Sequence, residues 1–153
     1  MSKTNAARLL DKLKIRYELV SYEVDESDLS AIAVANKLGQ NIKQVFKTLV
    51  LRGDKTGYFV AVIPGDAELD LKVAAKISGN KSAAMIAVKE IQSLTGYIRG
   101  GCSPLGMKKQ FPTFIEKSCL SFEFIYVSAG VRGTQIKLSP DDLLKAVGAI
   151  VFE

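Results

Sequence analysis

No histidine occurs anywhere in the 153 residues. The chain therefore has no imidazole base, no Ser-His-Asp triad and no Cys-His pair. Chemistry must come from lysine, carboxylates, hydroxyls, backbone amides or the substrate itself. Lys47 is the foremost candidate, because it interrupts the apolar run Val45-Phe46-Lys47-Thr48-Leu49-Val50. Strand alternation puts it on the side of Val45 and Leu49, apart from Phe46, Thr48 and Val50. A buried ammonium is costly unless it is paired or lines a cleft. Two readings follow: a working lysine in a cleft, or an edge-strand lysine that snorkels to water and discourages edge pairing.

The second candidate is the segment Gly100-Gly101-Cys102-Ser103-Pro104-Leu105-Gly106. Glycine lets backbone amides approach a ligand closely and proline stiffens the turn, although an ordinary surface turn has the same composition. Neither GxxxxGK[ST] nor GxGxxG occurs in it, so a nucleotide phosphate loop is not expected. Cys102 has no local base to activate it and reads as a structural thiol, as does Cys119. Two cysteines without histidine cannot supply a four-ligand zinc site, and the acidic residues lack calcium-loop spacing. No metal and no cofactor are expected.

The elements that must position these residues are legible from periodicity and punctuation. Thr4 caps a first helix with the stripe Ala6, Leu9, Leu10 and Leu13, ending near Lys14. Residues 16–22 alternate as a strand. The acidic stretch 23–28 supplies a loop and the cap of a second helix carrying Leu29, Ile32, Ala35 and Leu38, which stops at Gly39. Residues 45–52 and 58–64 are strands joined by a hairpin-length turn over 53–57. Asp70 opens a helix that closes at Gly79. A strand over 83–87 and a short helix over 90–94 lead into the glycine segment. Strands over 113–115, 123–128 and 134–138 follow. Ser139 and Pro140 open the last helix, through Leu143, Leu144 and Val147 to Gly148, and a strand over 149–152 ends the chain. Strands outnumber helices, and the tight connections predict mainly antiparallel neighbours.

Composition bounds the class. With 48% apolar and 24% charged residues, the sequence reads as one domain spanning 1–153. No apolar run approaches the ~20 residues of a membrane span. The segment from Met1 to Arg8 lacks the apolar core of a secretory leader, so a cytoplasmic protein with reduced thiols is expected. The net charge of +5 suits a phosphate-bearing partner, though many basic proteins bind none.

Four phrases carry a resemblance: Gln-Val-Phe-Lys-Thr-Leu-Val at 44–50, Glu-Leu-Asp-Leu-Lys at 68–72, Thr-Gly-Tyr-Ile-Arg-Gly-Gly-Cys-Ser-Pro-Leu-Gly-Met-Lys-Lys at 95–109 and Val-Ser-Ala-Gly-Val-Arg-Gly at 127–133. In order and spacing, over nearly the whole chain, they resemble the YbaK/EbsC family. Its members are similar to the editing insertion domain of bacterial prolyl-tRNA synthetases, and the YbaK type clears cysteine mischarged onto proline tRNA in trans. The resemblance implies a mixed α/β (α+β) fold with a curved, mainly antiparallel sheet surrounded by helices. It also implies an aminoacyl-tRNA deacylase that acts on the tRNA acceptor end, with prolyl-tRNA synthetase as a partner. Lys47 falls on the family's catalytic lysine, Gly100 and Pro104 fall on its glycine-x-x-x-proline loop, and Tyr22 matches a pocket residue.

The family's substrate-assisted chemistry, in which the cysteine thiol attacks its own ester, fits a chain without histidine. Expected substrate contacts are Tyr22, Leu29, Gly101, Cys102, Ser103, Pro104, Ser128, Gly130 and Gln135, beside catalytic Lys47 and Gly100. Lys43, Arg99, Lys108, Lys109 and Arg132 are the expected tRNA contacts. Two departures bear on specificity: Leu29 stands where the best-known members have phenylalanine, and Gln135 where they have aspartate. Alanine, serine or proline on tRNA are therefore alternative substrates, and a non-catalytic tRNA-binding module is the alternative from another class.

Overall fold

The computed structural model describes residues 3–153. Met1 and Ser2, part of the segment read for a leader, lie outside the described residues. The chain runs α1 (Asn5–Lys12), β1 (Glu18–Ser21), α2 (Ala31–Leu38), β2 (Phe46–Gly53), β3 (Gly57–Pro64), α3 (Leu71–Ser78) and β4 (Ala83–Met85). It continues through α4 (Val88–Thr95), β5 (Thr113–Glu116), β6 (Ile125–Ser128), β7 (Thr134–Leu138), α5 (Pro140–Val147) and β8 (Ile150–Phe152). The mixed α/β class and the element order match the sequence reading. Short 3-10 turns at Ile42–Gln44 and Lys117–Ser121 were not anticipated.

Two helix starts show what the pattern resolves and what it misses. The Thr4 hydroxyl accepts the Ala7 amide at 3.2 Å, as a capping threonine should. Leu13, expected on the buried stripe, is instead 45% exposed, because the helix has already ended at Lys12. The cap of α2 is Ser30, not an acidic residue of 23–28: its hydroxyl accepts the Ala33 amide at 3.2 Å. Asp28 serves one step earlier, accepting the Ser30 amide at 3.1 Å. Leu29 and Ile32 therefore leave the expected buried stripe, Leu29 preceding the helix and Ile32 being exposed, while Val34 and Ala35 are the buried pair.

The strands form two sheets, and among the described residues a parallel bridge between Val45 and Tyr126 joins them. The larger has the order β4-β2-β3-β5-β8 and the smaller β1-β7-β6. Antiparallel pairing dominates, as expected; the exceptions are β5, parallel to β3, and β8, parallel to β5. Helical crossovers separate those partners in sequence, as parallel pairing requires.

The two faces of β2 have different fates. Phe46 and Val50 join the main core with Leu105, Ile125, Val127 and Ile136. On the opposite face, Val45 packs with Tyr126 under Val34 and Ala35 of α2, whereas Leu51 packs with Ala61 and Ile63 under Ala74 of α3. Lys47 falls on this second face, between the parts covered by the two helices. Gly65 permits the close approach of α2: its amide donates to the Val45 carbonyl at 2.7 Å, and a Cβ there would lie 2.6 Å from the Ala31 methyl.

Candidate active site

A cavity of about 350 Å³ lies between β2 on one side and Ser128 and Gln135 on the other, with the start of α2 and the loop 99–102 completing its wall. Ser128 and Gln135 are directly opposed in the β6–β7 register. Alternation places Ser128 on the same side of β6 as Tyr126, which is the side that α2 covers. Lys47 reaches the same space from β2 and is half-buried. The cleft reading of Lys47 is thus the one that its position supports.

Gly100 closes the cavity with a backbone that only glycine adopts freely, at φ +82°. A Cβ there would also lie 3.2 Å from Leu29 and 3.3 Å from Arg132 Nε. The Gly101 amide donates to the Ile98 carbonyl at 2.9 Å and is spent inside the turn. The amides of Gly100 and Cys102 donate to no backbone carbonyl among the described residues. Arg132 fixes the loop: Nε donates to the Arg99 carbonyl at 2.9 Å, and the guanidinium reaches Glu26 at 3.7 Å. The 130–133 turn, the acidic loop and the glycine loop are thereby tied together around the cavity mouth.

Beyond Cys102 the segment turns inward. Ser103 and Leu105 are fully buried, the Leu105 amide donates to Ser103 Oγ at 3.2 Å, and the Tyr97 hydroxyl donates to the Leu105 carbonyl at 2.6 Å. Burial pushes the Tyr97 phenol up to about 12. Burial likewise pushes the Cys102 thiol up to about 11, so at neutral pH it is protonated and a poor nucleophile.

Of the expected site residues, Lys47, Gly100, Leu29, Cys102, Ser128, Gln135 and Arg99 line this one cavity. Tyr22 lines a small adjoining hollow together with Leu29 and Gly100. Gly101, Ser103, Pro104 and Gly130 are not among the residues that line it. The expected tRNA-contacting cations are scattered. Lys43 pairs with Asp66 at 2.6 Å and holds that carboxyl below its usual range; Lys109 lies over Phe111; and Lys108 packs its stem against Gly96.

Sequence reading missed Thr48, which also lines the cavity. Its Oγ1 and Gln135 Oε1 are buried with no hydrogen-bond partner among the described residues. No sequence signal marks this, because threonine is an ordinary strand residue and only tertiary contacts reveal that its hydroxyl is alone.

The aminoacyl-tRNA editing domain family matches residues 26–146, a span that holds every cavity-lining residue. This chain belongs to that family. The protein EbsC of Enterococcus faecalis, named for a proposed deacylation of Cys-tRNA(Pro) and Cys-tRNA(Cys), is 51% identical over 142 residues, covering 93% of this chain and 87% of EbsC. A proline–tRNA ligase of Fervidobacterium nodosum is 33% identical over 75 residues, which is 49% of this chain and 13% of the ligase. A solved structure described as a candidate trans-editing enzyme for prolyl-tRNA synthetase superposes with a TM-score of 0.84 at 25% identity, covering 100% of this chain and 98% of that one. The YbaK/EbsC resemblance and its fold are thereby established.

Proposed function

We propose that this chain is a trans-acting deacylase that cleaves the ester between a misattached amino acid and the tRNA 3′ end, with cysteine on proline tRNA as its first substrate. The observation that carries this reading is the cavity itself, which joins Lys47 to the Gly100 loop in a chain 51% identical to a protein named for that deacylation. Its one thiol is protonated and there is no histidine. An aminoacyl ester is already activated, so no protein nucleophile is needed. Holding the substrate thiol against its own carbonyl supplies up to ~7 to 11 kcal/mol through positioning. The thiol sulfur bonds to the carbonyl carbon, the ester C–O bond breaks, and the thiol proton leaves with the ribose oxygen; water then opens the cyclic thioester.

The Gly100 and Cys102 amides and the Lys47 ammonium are suited to stabilise the oxyanion, each such donor being worth roughly 3 kcal/mol. Arg99, which lines the cavity, is the cation proposed to meet the acceptor-end phosphate. With Lys43 and Arg132 engaged inside the chain, few phosphate contacts remain. Binding should therefore weaken with salt at a shallow slope, about −0.7 per contact, and tRNA choice falls to a partner, the prolyl-tRNA synthetase. No helix among the described residues is long and apolar enough to cross a membrane. A translation substrate places the proposed work in the cytoplasm.

The test is a panel of proline tRNAs carrying cysteine, alanine, serine or proline, with and without the synthetase. Cysteinyl ester should be cleaved fastest. Release no faster than the uncatalysed rate on every member would overturn the proposal, and binding without cleavage would support the non-catalytic module instead.

A further inference from the structure

We infer that Arg132 is a positioning residue: by holding the Arg99 carbonyl it locks the glycine loop in the turn that aims the Gly100 amide into the cavity, an inference that rests on the deacylase reading above. Residues 98–101 form a β-turn, closed by the Gly101 amide donating to the Ile98 carbonyl at 2.9 Å. Gly100, the third residue of that turn, has φ +82°, the value of a type II turn. A type I turn over the same residues keeps the closing hydrogen bond but takes φ to about −90° there, so the two differ by about half a rotation of the central Arg99–Gly100 peptide. Glycine enters both regions at little cost, and the closing hydrogen bond therefore does not choose between them.

The choice decides where an oxyanion donor points. The peptide is trans, so the Arg99 C=O and the Gly100 N–H lie in one plane and face opposite ways. Arg132 Nε donates to that carbonyl at 2.9 Å, and Arg132 is not among the residues that line the cavity, whereas Gly100 is. Holding the carbonyl on the Arg132 side turns the Gly100 N–H to the cavity side, where it donates to no backbone carbonyl. A flipped peptide would present the Arg99 carbonyl oxygen there instead, and its partial negative charge repels an oxyanion. Arg132 is itself braced. The Gly133 carbonyl beside it accepts the Tyr22 amide at 2.9 Å, and the guanidinium reaches Glu26 at 3.7 Å. Gly101 lets the 130–133 turn lie against the loop, since a Cβ there would stand 3.2 Å from the Arg132 nitrogen. The Arg132 side chain is only 27% exposed, as suits an arginine that serves its own chain more than a phosphate in solvent.

The experiment exploits where the donor sits along the side chain. Glutamine carries an N–H donor as many bonds from Cα as the arginine Nε, without the charge, whereas lysine keeps the charge and has a methylene at that place. The wild type, R132Q, R132K and R132A are assayed for kcat and KM on cysteinyl-tRNA and on 3′-O-cysteinyl adenosine, an ester with no phosphate. R132K and R132A should lose about 10- to 100-fold in kcat on both esters with KM little changed, the scale of a misaimed oxyanion donor, while R132Q stays within about threefold of the wild type. The reverse order, with R132K active, R132Q impaired and the loss confined to tRNA, would make Arg132 a phosphate contact and overturn the inference. Equal activity in all four proteins, or R132Q as slow as R132A, would overturn it as well; should R132A fail to fold, the order of R132Q and R132K decides. The Gly100 amide 15N resonance is recorded without substrate, since an amide nitrogen senses a hydrogen bond on the carbonyl of its own peptide. It should move in R132K and return towards the wild-type position in R132Q, and an unmoved resonance in R132K sinks the inference whatever the kinetics. A wild type that cleaves neither ester defeats the deacylase reading, whereas cleavage with a full-strength R132K defeats only the role of Arg132.

Discussion

The two ends of β2 treat buried polar groups in opposite ways. At the turn end, Asn80 Oδ1 accepts the Lys55 and Thr56 amides at 2.8 and 2.9 Å, while Nδ2 donates to Thr56 Oγ1 and Ser78 Oγ at 2.9 and 2.8 Å. Asp54 adds the Lys81 and Ser82 amides at 2.9 and 3.2 Å. Every hydrogen-bonding position of that asparagine is used, so its region is built for stability. At the other end, Thr48 on β2 and Gln135 on β7 hold unpartnered oxygens, and Lys47 stands between the parts covered by α2 and α3. A folded chain tolerates such cost where a ligand offsets it, and the contrast separates scaffold from site more sharply than residue type does.

The sharpest way to break this division is Lys47→Ala. Deacylation of cysteinyl-tRNA should fall at least ~100-fold, the effect of removing one electrostatic contact to the developing oxyanion. Circular dichroism and the urea midpoint should stay native-like; near-wild-type turnover would remove Lys47 from the site. Asn80→Ala should do the converse. Stranding the Lys55 and Thr56 amides should lower unfolding free energy by about 2 kcal/mol with little change in kcat/KM, measured by urea denaturation and single-turnover assays. Equal losses of stability in the two variants would erase the distinction between the ends.

A smaller effect sharpens the comparison at high pH. Burial raises the Cys102 and Cys119 thiols from 9.0 to about 11 and the Tyr97 phenol from 10.0 to about 12. Between pH 9 and 11 the unfolded thiols lose protons that the folded ones retain, so stability is full below about pH 9 and falls as pH rises towards 11. Thermal melts across that range should show the decline, and Cys102→Ala should flatten part of it; a flat profile in the wild type would show that the thiols are not desolvated. The smallest effect concerns Cys102 as a participant. Cys102→Ser should keep activity within about twofold, because a protonated buried thiol takes no part as nucleophile. Abolished turnover in a folded variant would call for a covalent intermediate, sought by mass spectrometry.

Much of this is legible in the sequence alone. The β2–β3 hairpin announced itself through β-branched and aromatic runs around a glycine turn, Lys47 through its intrusion into one of those runs, and Gly100 through the density of turn residues. Local errors arose where two signals lay close together. Ser30 outcompeted the acidic residues for the α2 cap, which moved Leu29 out of the helix and onto the cavity wall. The cations expected to meet tRNA lie near the motifs in sequence, yet the folded chain engages Lys43 and Arg132 with its own carboxylates and a carbonyl.

By itself the sequence determined the element order, the absence of imidazole chemistry and the family, since periodicity, composition and motif spacing are properties of the chain read in one dimension. Tertiary structure alone decided that Lys47, Gly100, Ser128 and Gln135 surround one cavity, that the segment beyond Cys102 turns into the core, and that the Thr48 hydroxyl has no partner. The reason is physical: a hydrogen bond left unmade is a relation among strands distant in sequence. It comes into being only when the Val45–Tyr126 bridge brings the two sheets together.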